Sequence, residues 1–234
     1  MIINNFKQIQ SLLIFDDKRD WFYHLSILLR KKDMPEAARG RNNNARCIKT
    51  YYITSVDYLI EKEDEIIKLC ENFGARAYIN LNAKSFEKVA FEFNKQLADR
   101  LQYKQFEHCY RLYETVVGGG YDEDVEDPLN PNVKDDSSKV NVGQKRWIID
   151  VDEPEIDVLM TDFIEYHCDP ISDCVKEYGI LPTIYSKIIA AIPTKSGWHL
   201  ITKPFNMQQF KTKFPAVDLQ KNNPTVLYFN HKEI

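Results

Sequence analysis

The stretch Trp147-Ile148-Ile149-Asp150-Val151-Asp152 decides how this chain is read. An apolar run preceded by Lys145 and Arg146 ends in two aspartates two positions apart, and Pro154 soon stops any extended pairing. Side chains of a strand alternate between faces, so Asp150 and Asp152 project together while Ile149 and Val151 point into a core. Two carboxylates at a strand end offer hard oxygen ligands to one or two divalent cations. The competing reading is a solvated strand end, because a D-x-D is common. The downstream sequence weighs between them.

After Asp152 the pattern is helical over 155–177, interrupted at Asp169-Pro170 and closed by Gly179. A strand over 184–192, a turn over 193–197, a strand over 198–203, a helix over 207–213 and a strand over 225–230 follow. That order is β-α-β-β-α-β, the split βαβ or ferredoxin-like pattern also used by RNA-recognition modules. In such a sheet the first strand lies between the third and the fourth. The strand bearing Asp150 and Asp152 would then neighbour the one bearing His199, and Asp218 lies on the segment entering the last strand. Three elements thus bring two aspartates, a histidine and a third aspartate toward one place.

Upstream, the spacing of Trp21, Leu25, Leu28 and Leu29 predicts an amphipathic helix over 17–32. A basic loop follows, then a strand over 46–54, a helix over 61–73 capped by a left-handed Gly74, and an alternating strand over 75–81. A long helix over 85–103 and a shorter one to about 116 complete a first α/β module. The expected organisation is an N-terminal α/β module over 1–117, an acidic flexible linker over 118–144, and a βαββαβ palm over 145–234 that packs against the first module. The fold class is α+β. Gly118-Gly119-Gly120 lacks the G-x-G-x-x-G spacing and no strand precedes it, so it reads as linker rather than phosphate cradle.

Composition bounds the rest. A chain of 234 residues with 44% hydrophobic and 28% charged residues is globular rather than disordered. No apolar run approaches the ~20 residues a membrane helix needs, and the N-terminus has no secretory pattern, so a soluble, cytoplasmic protein with no membrane partner is expected. Five scattered cysteines suit a reducing compartment. His167, Cys168 and Cys174 match no zinc-finger spacing. The net charge of −4 hides a basic run from Arg30 to Lys49 and an acidic one from Asp122 to Asp136, which leaves room for a local phosphate-binding surface. Arg46 and Lys49 on one strand and Arg76 on another are candidates to hold nucleic-acid phosphates.

Carboxylates around divalent ions, with a phosphate-binding cation nearby, suit nucleotidyl transfer. Thr194-Lys195-Ser196-Gly197 supplies a tight turn whose backbone N–H groups, hydroxyl and ammonium suit a triphosphate, although it is not a Walker A loop. The ordered set Trp147-Ile-Ile-Asp150-Val-Asp152, Ser196-Gly-Trp-His199 and Val217-Asp218 resembles the three motifs of the archaeo-eukaryotic primase superfamily. That family has a hydrophobic run ending in D-x-D or D-x-E, a small-x-His motif and a hydrophobic-Asp motif. It includes primase small subunits, primase-polymerases and many phage, plasmid and mobile-element replication proteins. The resemblance implies that Asp150, Asp152 and Asp218 hold Mg²⁺ or Mn²⁺ and carry catalysis. It also implies that His199 contacts the phosphates of incoming nucleotides, beside Ser196 and Lys195 of the turn, which are nucleotide-binding candidates by their own chemistry. The implied activity is that of a DNA primase or primase-polymerase core, with single-stranded DNA template and nucleoside triphosphates as ligands. A helicase or an accessory primase domain on another chain would be a further partner. Lys221-Asn222-Asn223-Pro224 departs from the downstream pattern of primase-polymerases. Two other readings stay open: a ferredoxin-like nucleic-acid-binding module without chemistry, and a metal-dependent nuclease.

Overall fold

The computed structural model describes residues 1–15, 19–34, 45–106, 109, 112–118, 145–168 and 187–230. The chain is a mixed α+β protein built on two antiparallel sheets. The first sheet has the order β1 (Ile2–Asn4), β10 (Thr225–Asn230), β4 (Arg76–Ile79), β2 (Trp21–Arg30), β3 (Ala45–Ile53), with the short β5 (Lys84–Ser85) pairing the start of β2. The second has the order β7 (Ile188–Pro193), β8 (Trp198–Thr202), β6 (Trp147–Val151), β9 (Asp218–Gln220).

The helix predicted over 17–32 is instead strand β2. Leu25 and Ile27 face one core and Phe22 another, and β2 is bonded on both edges, to β3 and β4. A central strand buried on both faces shows a near-continuous apolar run, within which a 3–4 spacing arises by chance. The helices expected over 85–103 and 207–213 lie close to expectation, the one expected over 61–73 starts at Val56, and a short helix over Phe6–Gln10 was not expected. Ser55 accepts a hydrogen bond from the Tyr58 N–H at 3.0 Å, starting α2 (Val56–Phe73), which ends at Gly74 in the left-handed region with φ 60°. Ser85 accepts from the Lys88 N–H at 3.1 Å and opens α3 (Phe86–Gln102). Helix α1 (Phe6–Gln10) joins α2 on one face of the first sheet through Phe6, Ile9, Leu59 and Ile66. Helix α3 and α4 (Leu112–Gly118) cover Phe22 on the other through Val89, Leu112 and Val116.

The second sheet divides its faces cleanly. Trp147, Ile149, Val151 and Leu200 pack on α5 (Val158–His167) and α6 (Met207–Lys213) through Met160, Ile164 and Phe210. Ile148, Ile192 and Ile201, on the opposite face, join the core of the first module. Lys187 anchors the entry to β7 by donating to the Ile164 and Glu165 carbonyls at the end of α5, both at 2.9 Å.

The last strand corrects the expected palm. Thr225–Asn230 has the predicted bounds but belongs to the first sheet, between β1 and β4; the second sheet takes β9, which carries Asp218, as its fourth strand. Thr225 through Phe229 are all buried, which suits an interior strand better than an edge. A cut at 144/145 therefore leaves the first sheet without β10. Three buried asparagines bind the modules at this crossing. Asn5 donates to the Pro193 and Val226 carbonyls, Asn80 to that of Asn222, and Asn82 to those of Arg146 and Lys221. Of the expected linker, 119–144 lies outside the described residues, as does the predicted helix beyond Cys168, Cys174 included. Among the described residues no helix is long and apolar enough to cross a membrane.

Burial also sets a pH limit on the first module. The His24 side chain is pushed down to about 4, first by burial and then by the charge of Lys84. The unfolded chain takes up this proton near 6.5, the folded chain only near 4, so stability falls as pH drops through that window. The expected loss from His24 is roughly 3 kcal/mol by pH 4. Urea melts of wild type and His24→Gln between pH 7.5 and 4 measure it; parallel curves for the two proteins would contradict it.

Candidate active site

Strand β6 is the axis of the site. Its register sets Asp150 directly opposite His199 of β8 on one side and opposite Asp218 of β9 on the other. Residues opposed in an antiparallel pair share a face, so the three side chains stand abreast. That face also carries Ile148 and Ile201, so it is turned toward the first module. Asp152 lies just past the strand end and is exposed, as is Asp218; Asp150 is half-buried.

The turn between β7 and β8 is locked against this strand end. The Thr194 N–H donates to the Gly197 carbonyl at 2.8 Å, and the Gly197 N–H donates to Thr194 Oγ1 at 3.1 Å. Trp198 Nε1 donates to the Pro154 carbonyl at 2.9 Å. A Cβ at Gly197 would lie 2.0 Å from the Val151 carbonyl oxygen and 2.6 Å from that of Glu153. The glycine of the small-x-His motif is thus needed because the backbone carrying Asp152 passes directly over it. Gly197→Ala forces backbone, not a flexible side-chain tip, to move; an expected cost of about 1–3 kcal/mol or more accompanies displacement of Asp152. Denaturant midpoints check the cost, and wild-type stability in the variant would contradict the contact.

His199 is buried, and Thr225 of β10 holds it: Nδ1 and Thr225 Oγ1 are 2.9 Å apart. Its Nε2 lies 3.5 Å from Asp150 Oδ1. Burial pushes the imidazole below its ordinary range, against the opposing charges of Asp150 and Asp152. Asp150 moves the other way. Burial raises it first and the Asp152 and Asp218 charges add to this, while His199 and Arg30 oppose. With His199 neutral near pH 7, the charge of Arg30 still favours the ionised form of Asp150.

Arg30 went unread as a site residue. It ends β2 on the face that carries Leu28, is exposed, and donates to the Tyr78 hydroxyl at 3.3 Å. Its position follows from period-2 alternation, which a helical reading of 17–32 hides. Nothing local to Thr225 marks it as the partner of His199.

The oxygen donors suit a hard divalent cation, and the repulsion that raises Asp150 is what such a cation would relieve. The carboxylates do not yet converge. Among the described residues no group of three His, Cys, Asp or Glu side chains is gathered at metal-binding distance, and Asp218 Oδ2 accepts from Gln220 Nε2 at 2.6 Å. Lys195 and Ser196 are exposed at the tip of the turn, with the Lys195 ammonium 5.8 Å from the Phe229 ring centre.

The three cations expected to hold nucleic acid are dispersed. Arg76 is buried, paired to both carboxylate oxygens of Asp33 at 2.6 and 2.8 Å and stacked 4.1 Å from the Phe229 ring centre. Its charge is thus engaged within the fold. Lys49 pairs with Glu65 of α2 on the helix-covered side of the sheet. Arg46 is exposed near the start of β3. Comparison of the chain with protein-family models, with curated proteins and with solved structures finds no match.

Proposed function

We propose that this protein is a metal-dependent nucleotidyltransferase, the catalytic core of a DNA primase or primase-polymerase of the phage, plasmid or mobile-element type. The observation that carries the reading is the row Asp218–Asp150–His199 across three strands, with Asp152 beyond it and the charge of Arg30 reaching Asp150. Strand order β9-β6-β8-β7, with α5 and α6 packed together on one face, supports a ferredoxin-like palm as its setting.

Asp150, Asp152 and Asp218 would hold Mg²⁺ or Mn²⁺, Asp218 after release from Gln220. The bound cation would supply activation of an attacking hydroxyl and charge neutralisation on a pyrophosphate leaving group. The chain's own residues divide the remaining work. Thr225 fixes the His199 ring through Nδ1, which leaves Nε2 as the edge that orients Asp150 or donates to a nucleotide phosphate. Lys195 and Ser196 offer an ammonium and a hydroxyl to the triphosphate from a turn whose shape Gly197 sets. Arg30 offsets negative charge on the side of the first module.

The test is incubation with single-stranded DNA, Mg²⁺ or Mn²⁺ and labelled nucleotides. Metal-dependent lengthening of a strand, or new short products, supports the proposal. Shortening of a labelled strand would mean a nuclease. Strand binding with neither outcome would mean a non-catalytic binding module.

A further inference from the structure

The first sheet carries a half-open cavity of ≈ 430 Å³ apart from the aspartate row, within the size range of small-molecule sites. Its floor is two cross-strand pairs, His24 opposite Tyr52 and Ser26 opposite Thr50. Helix α4 forms a wall with Tyr113 and Glu114. The rings of Tyr52 and Tyr113 lie edge to face with centres 6.3 Å apart, and the His24 ring lies 6.3 Å from Tyr52.

The floor is polar: the His24 imidazole and the Ser26 and Thr50 hydroxyls line the cavity. Such groups offer donors and acceptors to a hydrogen-bonding occupant. The lining does not select an anion: no lysine or arginine is found among the described residues that line the cavity, the Lys84 ammonium is engaged by the Val117 carbonyl, and Glu114 adds negative charge. Nor is it wholly apolar, given that floor. Aromatic walls around mixed donors and acceptors suit a flat, uncharged heterocycle.

Position narrows the class further. His24, Ser26, Leu28 and Arg30 share one face of β2, Leu28 also lines the cavity, and the charge of Arg30 reaches Asp150. At the rise of a strand, Ser26 and Arg30 are about 13 Å apart. A strand crossing the aspartate row therefore passes within a few nucleotides of the cavity. We propose that the cavity is a nucleobase-binding site: it takes one base against the Tyr52–Tyr113 wall, its edge toward Ser26, Thr50 and His24, its sugar and phosphate left outside. The choice of a nucleobase rests on the nucleic-acid reading above.

The test titrates the full chain with adenosine, guanosine, cytidine and thymidine, with a mixed-sequence single strand, and with the same strand made abasic. The variants are Tyr113→Ala, on an exposed wall, and Ser26→Ala, on the floor. Each is expected to weaken binding of the intact strand about tenfold and to leave the abasic strand unchanged, since stacking and edge contacts act on the base alone. Saturable nucleoside binding lost in both variants identifies a free nucleoside as the ligand; loss confined to the intact strand identifies a strand base. Equal binding of intact and abasic strands, together with no nucleoside binding, would overturn the inference. Asp150→Asn separates this result from the catalytic reading, because it leaves the cavity whole. Asp150-dependent synthesis without base binding removes the cavity assignment alone, and base binding without synthesis removes the catalytic one alone.

Discussion

Asp150→Asn is expected to abolish metal-supported nucleotide incorporation, by about a thousandfold or more, while the protein melts at the same temperature or higher. Asparagine keeps the size of the side chain, and its carboxamide oxygen can still face His199 Nε2, now 3.5 Å from Asp150. What disappears is the charge at the centre of the row. In the folded chain that charge is disfavoured by burial and by Asp152 and Asp218, so removing it relieves strain in the metal-free protein. The sign of the pH dependence follows. A carboxyl raised in the folded state becomes less of a burden as pH falls through its folded value, and this contribution should vanish in the variant. Extension assays paired with thermal melts read both quantities. Incorporation that survives in Asp150→Asn would remove the aspartate row from the chemistry.

Arg76→Ala is expected to cost about 3 kcal/mol of folding stability, because it removes a buried guanidinium and leaves the half-buried Asp33 carboxylate without its partner. Both oxygens of Asp33 are engaged by the guanidinium, which also covers the Phe229 ring of the neighbouring strand. The pair links the short turn after β2 to the centre of the first sheet. Arg76→Lys should recover only part of the loss, since an ammonium cannot reproduce the planar two-point contact. A strand-binding role predicts instead a reduced salt slope of single-strand binding with unchanged stability. Chemical denaturation and salt titration of the folded variant separate the two roles, and wild-type stability in Arg76→Ala would contradict the structural one.

Local pattern carried much of this protein. The alternation through Ile148 to Val151 placed Asp150 on the face opposite Ile149, and Ser85 and Gly74 marked helix ends through backbone chemistry that needs no tertiary partner. The run Trp198–Thr202 likewise set His199 on the face of Ile201. These are short-range facts of strand periodicity and capping.

Tertiary structure decided what local pattern leaves degenerate. Trp21–Arg30 is a strand because two neighbours bond its edges and two cores bury its faces, and neither condition is written within its ten residues. Thr225–Asn230 was legible as a strand but not as a member of the first sheet, since pairing partners are set by packing at long range. The same crossing supplies Thr225 to His199, and the bonding of β2 as a strand brings Arg30 to Asp150. Arg76 looked like any strand cation until Asp33, 43 residues away in sequence, closed on it. That Asp150 and His199 stand on one face of neighbouring strands was therefore readable from the chain alone. Which cation's charge reaches Asp150, and which histidine edge is left free, follow from how the two sheets meet.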